Sequence, residues 1–416
     1  MRETYNLEFK EKISNTFLKT VTAYANYDGG RIIFGISDTG EVIGLENTTE
    51  SSLVIENKIN DSIFPKIDYS IKINEEEKTI ELMVYPGTQI PYFYNSKTYK
   101  RNDSSTIEVD SHELKRLILD GKNITFDSLT SSVKNLNFTY LEQKLKDTIG
   151  INNIDTDVLK TLELMNKDEK FTNAGTLLAD KNKFNIIDIV RFGEDQDTIL
   201  NRIRIKGISV LEAYDIAIEK YREYYQYEVI NGAYREKKEL IPEKAFRETI
   251  ANALVHRDWM RQPYIQISMN KDKIVVTSPG GLPNELSEKE FLDSQISIMR
   301  NPVIGNVFFR LDIIESFGTG IRRIKNSYIS SKKKPLFTIY DNLVEIRLPI
   351  ISGLEELTED QNLIYNSLEN KEMASSALTE ITGFGKNKVL ELLETLIHLG
   401  YVEKIGSGRG TKYKRK

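Results

Sequence analysis

The sequence has 416 residues, 39% of them hydrophobic and 29% charged, with a formal net charge of −5 and no cysteine. Such a length predicts about three domains at roughly 150 residues each, and the composition is typical of a soluble globular protein. The lack of cysteine excludes disulfides, thiolate metal sites and a cysteine nucleophile. No apolar run is long enough to span a membrane and the N-terminus does not resemble a signal peptide, so we expect a cytoplasmic protein without membrane contact. Because the net charge is negative, contact with nucleic acid requires local basic patches.

The first 45 residues predict a strand–helix–strand unit. Residues 7–9 have the pattern of a short strand, 12–25 of an amphipathic helix, and 31–36 of a β-branched strand that follows the turn signal Asp28-Gly29-Gly30. The unit places three carboxylates and a lysine around one sheet edge, and these are Glu3, Glu8, Asp38 and Lys10.

The order of the segments ETYNLEFK at 3–10, ANYDGG at 25–30 and FGISD at 34–38 resembles the AlbA-type nucleic-acid-binding domain shared by Schlafen proteins and many bacterial regulators. The resemblance implies nucleic acid as the ligand. In Schlafen endoribonucleases it further implies that Glu3, Glu8 and Asp38 bind Mg²⁺ or Mn²⁺ and that Lys10 steadies a phosphate. In the alternative interpretation, Glu8 pairs with Lys10 or Arg31, Asp38 lies in an ordinary turn, and the domain binds nucleic acid without cutting it.

The N-terminal domain is expected to cover residues 1–120, with strands at 67–73 and 79–85 and a helix beginning near Asp110. Lys100 and Arg101 follow several tyrosines, and bases beside aromatic side chains are suited to phosphates and unstacked nucleobases. The alternative is an aromatic core edge with a solvated basic tip. Residues 121–140 are polar and weakly periodic, which predicts a linker, and 141–240 predict a mixed α/β connecting region.

Residues 241–352 contain a helix, two strands and two glycine turns. The succession RETIANALVHRDW, SPGGLP, RNP and FGTGIRRI resembles the C-terminal region of bacterial RecG-like proteins, but no G-x4-G-K-[ST] phosphate loop occurs, which excludes a helicase motor. The region also looks like a divergent GHKL ATPase module, an α/β sandwich. That resemblance implies that Asn252 coordinates Mg²⁺, that Glu248 shares its helix face, and that two glycine turns admit ATP. The glycines of these turns are Gly280, Gly281, Gly318 and Gly320.

One departure from the GHKL pattern leaves nucleotide binding open. The family's adenine-binding aspartate is expected just before the first glycine turn, where this sequence has Thr277-Ser278-Pro279. A hydroxyl lacks the charge-assisted acceptor of a carboxylate. Weak ATP binding and a retained scaffold without nucleotide are therefore both compatible with the sequence.

The last segment, 357–416, predicts a winged helix-turn-helix of three helices followed by a β-hairpin. Basic residues at the start of the third helix and in the hairpin are suited to phosphate or minor-groove contact, and they are Lys386, Lys388, Lys404, Arg409, Lys412 and Lys414. Winged helices also serve as dimerisation modules, and we expect a homo-oligomer.

The predicted fold class is therefore α+β and multidomain, with a Schlafen-type α/β domain, a GHKL-like α/β sandwich and a C-terminal winged helix-turn-helix. The leading hypothesis is a DNA-binding transcriptional regulator with a weak or degenerate ATP-binding module, and DNA is favoured over RNA. The alternative is a Schlafen-like, metal-dependent endoribonuclease.

Overall fold

A computed structural model describes residues 2–231, 234–283, 286–293, 298–315, 318–351, 357–369, 371–398, 401–406 and 408–415. No helix within these ranges is both long and apolar enough to cross a bilayer.

The N-terminal part is built from eight strands and three helices in the described chain. They are β1 (Leu7–Lys10), α1 (Phe17–Asn26), β2 (Gly30–Phe34), α2 (Thr48–Ser62), β3 (Ile63–Phe64), β4 (Tyr69–Asn74), β5 (Thr79–Val84), β6 (Phe93–Tyr94), β7 (Tyr99–Asn102), β8 (Ser105–Glu108) and α3 (Ser111–Asp120). Four strands form a sheet in the order β1-β2-β5-β4, with β1 parallel to β2. The apolar face of α1 packs on this sheet, and Phe17 and Phe34 meet edge to face.

The predicted strands and helices of this part exist, with boundaries shifted by a few residues. Helix α1 begins at Phe17 rather than at residue 12, because residues 11–14 are irregular and 15–16 form a turn. Helix α2 was not predicted, since only Thr48, Ile55 and Ile59 are buried along its 15 residues and its apolar stripe is narrow.

The middle of the chain contains eight helices and eight strands among the described residues. They are α4 (Thr139–Ile149), α5 (Thr156–Thr161), α6 (Asn173–Leu178), β9 (Asn185–Phe192), β10 (Ile199–Lys206), α7 (Val210–Tyr225), β11 (Gln226–Asn231), β12 (Tyr234–Glu239), α8 (Glu243–His256), β13 (Ile265–Met269), β14 (Lys273–Pro279), α9 (Glu288–Asp293), α10 (Pro302–Arg310), α11 (Gly320–Asn326), β15 (Leu336–Tyr340) and β16 (Leu343–Pro349).

Strands from both halves of this middle part form one six-stranded sheet in the order β10-β9-β13-β14-β16-β15. The apolar strand β9 pairs in parallel with β13, and one hydrophobic core extends from Leu141 to Leu348. Residues 141–240 thus share a sheet and a core with 241–352, so the expected division at residue 240 does not separate two structural units.

Residues 121–138, expected to be part of a linker, are anchored to the middle domain through Asp127. This carboxylate is fully buried, and its Oδ2 accepts hydrogen bonds from the backbone amides of Val303 (2.8 Å) and Ile304 (3.1 Å) at the start of α10. Aspartate accepts in this way at helix N-termini because the first amides of a helix have no partner within it. The polar composition of the segment therefore reflects a helix cap as well as solvent exposure.

The C-terminal part contains α12 (Glu359–Ser367), α13 (Ser375–Thr382), α14 (Lys386–His398), β17 (Val402–Ile405) and β18 (Lys412–Arg415), with a 3₁₀ turn at Gly408–Gly410. The two strands pair antiparallel, and Met373 bridges to Tyr413 of β18. The elements follow one another in the expected order around a core of their own. The fold class, an α+β multidomain protein with an ATPase-like α/β domain, is confirmed, whereas the winged-helix assignment stays a prediction.

Candidate functional site

A cavity opens between α8, the strands β14 and β16, and the two glycine turns. The space between its walls is about 870 Å³, which includes the solvent at its open mouth. Helix α8 contributes Thr249, Asn252 and His256, which share one face because they are spaced by three and four residues. The glycines Gly280, Gly281, Gly318 and Gly320 all line the cavity, and their role in nucleotide binding stays a prediction.

Asn252, which lines the cavity, forms a hydrogen-bonded pair with Glu248. Asn252 Nδ2 donates to Glu248 Oε1 at 3.2 Å, which directs the amide oxygen of Asn252 away from the carboxylate. Glu248 is buried, and burial raises its pKa above the ordinary value although Arg323, 3.8 Å away, favours the ionised form. Sequence reasoning missed Arg323, whose ion pair with Glu248 connects α11 to α8 and which also pairs with Glu315.

The second glycine turn lies directly against this pair. A Cβ added at Gly320 would be 2.4 Å from Glu248 Oε1 and 2.7 Å from Asn252 Nδ2, so only glycine fits without displacing them. In the first turn, Gly280 has a φ of +104°, in the region that favours glycine, and it packs against Asp258 and Arg300.

The VHRDW and RNP motifs hold the first glycine turn in place. Arg300 Nη2 donates to the carbonyl of Gly281 at 2.9 Å, and the amide of Asp258 donates to the carbonyl of Pro279 at 2.9 Å. Asn301 Nδ2 donates at 2.8 Å to the carbonyls of both Val255 and Arg257 beyond the end of α8. The sequence showed these motifs without their roles, because each role depends on a contact between segments distant in the chain.

Arg257 is buried, with only 1% of its surface exposed, and donates to the carbonyls of Asn185 and Ile186 in β9 and of Pro263. A buried guanidinium needs such acceptors, because an unpaired charge in the interior is strongly unfavourable. The residue therefore fixes the end of α8 on the sheet.

In the N-terminal domain, Glu8 is a buried carboxylate whose neighbours are cations. Its Oε1 lies 2.6 Å from Lys10 Nζ, while its Oε2 accepts hydrogen bonds from Thr20 Oγ1 at 2.9 Å and from Arg101 Nη1. The pairing with Lys10 was one of the two interpretations of the sequence. The additional partner, Arg101, comes from the β7–β8 hairpin 93 positions away.

The other two predicted metal ligands are placed differently. Glu3 Oε1 accepts from the backbone amide of Phe9 at 2.8 Å, and Asp38 is exposed in the turn after β2. Across the residues that the structure describes, no three His, Asp or Glu side chains form a group suited to a metal ion. The proposed Mg²⁺ or Mn²⁺ site of Glu3, Glu8 and Asp38 therefore depends on family resemblance and not on an assembled geometry.

Lys100 and Arg101 were expected to meet phosphates, but both are engaged within the domain. Lys100 Nζ lies 2.5 Å from Glu113 Oε2, and Arg101, with 7% of its side chain exposed, also donates to the carbonyls of Thr4 and Ser104. Their charges therefore neutralise internal carboxylates instead of forming a free basic tip.

The bases predicted in the C-terminal part are mostly at the surface. Lys386, at the first turn of α14, and the hairpin lysines Lys404, Lys412 and Lys414 are exposed. Lys388 is also exposed and lies 2.6 Å from Asp360 Oδ2. The side chain of Arg409 lies outside the described residues.

Comparison with protein families matches two parts of the chain. Residues 3–110 match the family described as "Schlafen, AlbA_2", and 263–348 match the family described as "Putative ATP-dependent DNA helicase recG C-terminal". The search of curated proteins found no match.

Two solved structures are similar to the chain. The crystal structure of the DIP2311 protein from Corynebacterium diphtheriae is 19% identical, with 99% of this chain and 92% of that one covered at a TM-score of 0.50, which supports a similar fold. The solution structure of the N-terminal domain of a RecG-related protein from Nitrosomonas europaea is 16% identical over 26% of this chain and 79% of that one, at a TM-score of only 0.20. The chain thus carries a Schlafen, AlbA_2 domain at its N-terminus and a RecG-type C-terminal ATPase-like domain, a combination that indicates a nucleic-acid-related protein.

Proposed function

We propose that this protein is a DNA-binding transcriptional regulator that binds ATP with Mg²⁺ in the cavity beside α8. The observation that carries the proposal is the cavity itself, which is lined by Asn252 and the two glycine turns, with Glu248 hydrogen-bonded to Asn252. The C-terminal helices and hairpin supply the DNA-binding surface.

The residues around the cavity fit a nucleotide and its metal ion. The four glycines line the cavity without side chains, and the amide oxygen of Asn252 is available because its nitrogen donates to Glu248. Oxygen atoms are the ligands that Mg²⁺ prefers, and in protein sites it commonly keeps contact with substrate phosphates. A bound Mg²⁺ would offset the negative charge of the phosphates, while Glu248 holds the amide of Asn252 in the required orientation.

Calorimetric titration of the full chain with ATP and Mg²⁺ tests this site. We expect saturable binding in the wild type and a loss of at least about tenfold in Asn252→Asp, because a second carboxylate beside Glu248 would hold the metal ion in a different geometry and repel the phosphates. Asn123→Asp, a change of the same kind at an exposed position, is the matched control. Absence of heat at millimolar ATP would contradict nucleotide binding.

DNA binding by the C-terminal part is supported by the position of its exposed bases. Lys386 begins α14, which follows α13 after a short turn. In helix-turn-helix proteins, the N-terminal residues of the second helix of the motif contact the edges of the DNA base pairs. The hairpin lysines of β17 and β18 lie on an adjacent element, where winged proteins contact phosphates or the minor groove.

A salt titration distinguishes this surface from general electrostatic attraction. Each phosphate contact that is lost reduces the slope of log K against log salt by about 0.9. We therefore expect replacement of Lys404, Lys412 and Lys414 by glutamine to weaken duplex binding and lower the slope by up to about three. A control with the same change of net charge replaces the exposed Lys72, Lys122 and Lys289. Equal effects of the two triple variants would contradict the proposed surface.

For the N-terminal domain we propose a binding role and not cleavage. The partners of Glu8 are the reason, because Arg101 and Lys10 already offset its charge and Thr20 occupies one of its lone pairs. Incubation of structured RNA and duplex DNA with the protein and Mn²⁺ tests this proposal. Cleavage that disappears in Glu8→Gln would favour the endoribonuclease alternative.

A further inference from the structure

We propose that His256 selects adenine by accepting a hydrogen bond from the exocyclic amino group of the base. This inference rests on the ATP binding proposed above, and it names the residue that replaces the missing aspartate.

His256 occupies the right place in the cavity. It lies four residues after Asn252 on α8, so the two side chains are about one helical turn, roughly 5 to 6 Å, apart on one face. Both line the cavity, and Gly320 lies against Asn252. If the phosphates lie beside Asn252 and Gly320, the base lies further along α8, where His256 is.

The ring of His256 is held in a state that can accept a hydrogen bond. It donates to the backbone of Ile298, and burial together with the nearby Arg300 lowers its pKa to about 4. A neutral imidazole that donates through one nitrogen carries a lone pair on the other. Because His256 lines the cavity, this lone pair is the acceptor that the sequence TSP at 277–279 does not supply as a carboxylate.

Ser278 is the competing acceptor, since it also lines the cavity. Its Oγ donates to the carbonyl of Ala253 at 3.1 Å, which fixes the hydroxyl on the backbone of α8. The hydroxyl oxygen of Ser278 nevertheless keeps lone pairs that can accept a hydrogen bond. The contributions of His256 and Ser278 must therefore be distinguished by experiment.

The 6-position of the purine gives the test. Adenine carries an amino donor there, whereas hypoxanthine carries an oxo acceptor whose lone pairs would face that of the imidazole. One good hydrogen bond contributes about 1 kcal/mol net, so we expect the wild-type full chain to bind ATP roughly five- to tenfold more tightly than inosine triphosphate. Purine riboside triphosphate, which has no 6-substituent, should lie between them.

Competition titrations with these three nucleotides should be repeated on three variants. His256→Phe keeps an aromatic ring without an acceptor, and we expect its ratio of ATP to inosine triphosphate affinity to fall to about one. His256→Asp supplies a carboxylate acceptor and should restore the preference, whereas Ser278→Ala should leave it unchanged.

The outcomes separate this inference from the proposed function. ATP binding without preference over inosine triphosphate in the wild type overturns the role of His256 while leaving nucleotide binding intact, and this result needs no variant to fold. A preference that survives His256→Phe, or that disappears in Ser278→Ala, also overturns it. If the wild type binds none of the three nucleotides, the ATP site itself is wrong.

Discussion

Replacement of Asp127 by alanine should destabilise the middle domain although the residue lies in a segment with the composition of a linker. Its carboxylate accepts from the amides of Val303 and Ile304 and from Thr125 Oγ1, and none of its surface is exposed. Burial raises the pKa of this carboxyl group above its ordinary value, while the hydrogen bonds from Thr125, Val303 and Ile304 act in the opposite direction.

The expected loss follows from the two amides. Removal of an N-cap costs about 0.5–2 kcal/mol, and a buried donor left without a partner costs about 1–3 kcal/mol. For Asp127→Ala we therefore expect the free energy of unfolding to fall by about 3 kcal/mol. Asp127→Asn keeps one acceptor oxygen and should cost only about 1 kcal/mol.

Urea denaturation followed by tryptophan fluorescence measures this loss in the relevant domain. Trp259 is the single tryptophan of the chain and is buried in the same core as α10, so its emission reports on the unfolding of that core. The control is Asp38→Ala, which changes an exposed aspartate in a turn. If Asp127→Ala and the control have the same midpoint and slope, the cap contributes nothing and the reasoning is refuted.

Three further predictions concern the two sites. Gly320→Ala should lower ATP affinity at least about tenfold in titrations, because the new methyl group would lie 2.4 Å from Glu248 Oε1, whereas Gly385→Ala, which meets nothing within 4 Å, should have no effect. Glu8→Ala should lower the free energy of unfolding by about 3 kcal/mol in urea titrations, because it leaves the buried guanidinium of Arg101 without its carboxylate partner. An unchanged free energy of unfolding would mean that water replaces the carboxylate. The pKa of His256, lowered from 6.5 to about 4 by burial, implies that stability falls as the pH drops from about 6.5 to 4, by up to roughly 3 kcal/mol, because the unfolded chain takes up the proton first. The midpoint of thermal unfolding should fall more steeply with decreasing pH in the wild type than in His256→Phe. Parallel curves of midpoint against pH would contradict this prediction.

Local sequence signals predicted the elements that bear the candidate pocket. The helical spacing of Glu248 and Asn252 is a property of a few consecutive residues, and it correctly placed both on one face of α8. The glycine turns were visible for the same reason, since Gly280 and Gly320 occupy positions where a side chain would clash or a positive φ is required.

Long-range electrostatics was not visible in the sequence. A basic stretch such as Lys100-Arg101 has the same appearance whether its charges face solvent or a buried carboxylate. Only the fold brings Arg101 to Glu8 across 93 positions and turns an expected phosphate contact into an internal ion pair. The same limit concealed Arg323, which reaches Glu248 from a neighbouring helix.

Contacts between the N-terminal and middle parts were not visible in the sequence for a related physical reason, and Asp258 illustrates it. Its amide supports the carbonyl of Pro279 beside the first glycine turn, and its carboxylate lies 3.2 Å from His112 Nε2, on helix α3 of the N-terminal part. Arg261 contacts the same carboxylate at 3.3 Å. The wall of the cavity and the surface of the N-terminal domain therefore meet in one group of polar contacts. The composition of the sequence does not reveal such a group of contacts, because polar residues are typical both of linkers and of hydrogen-bonded contacts between domains.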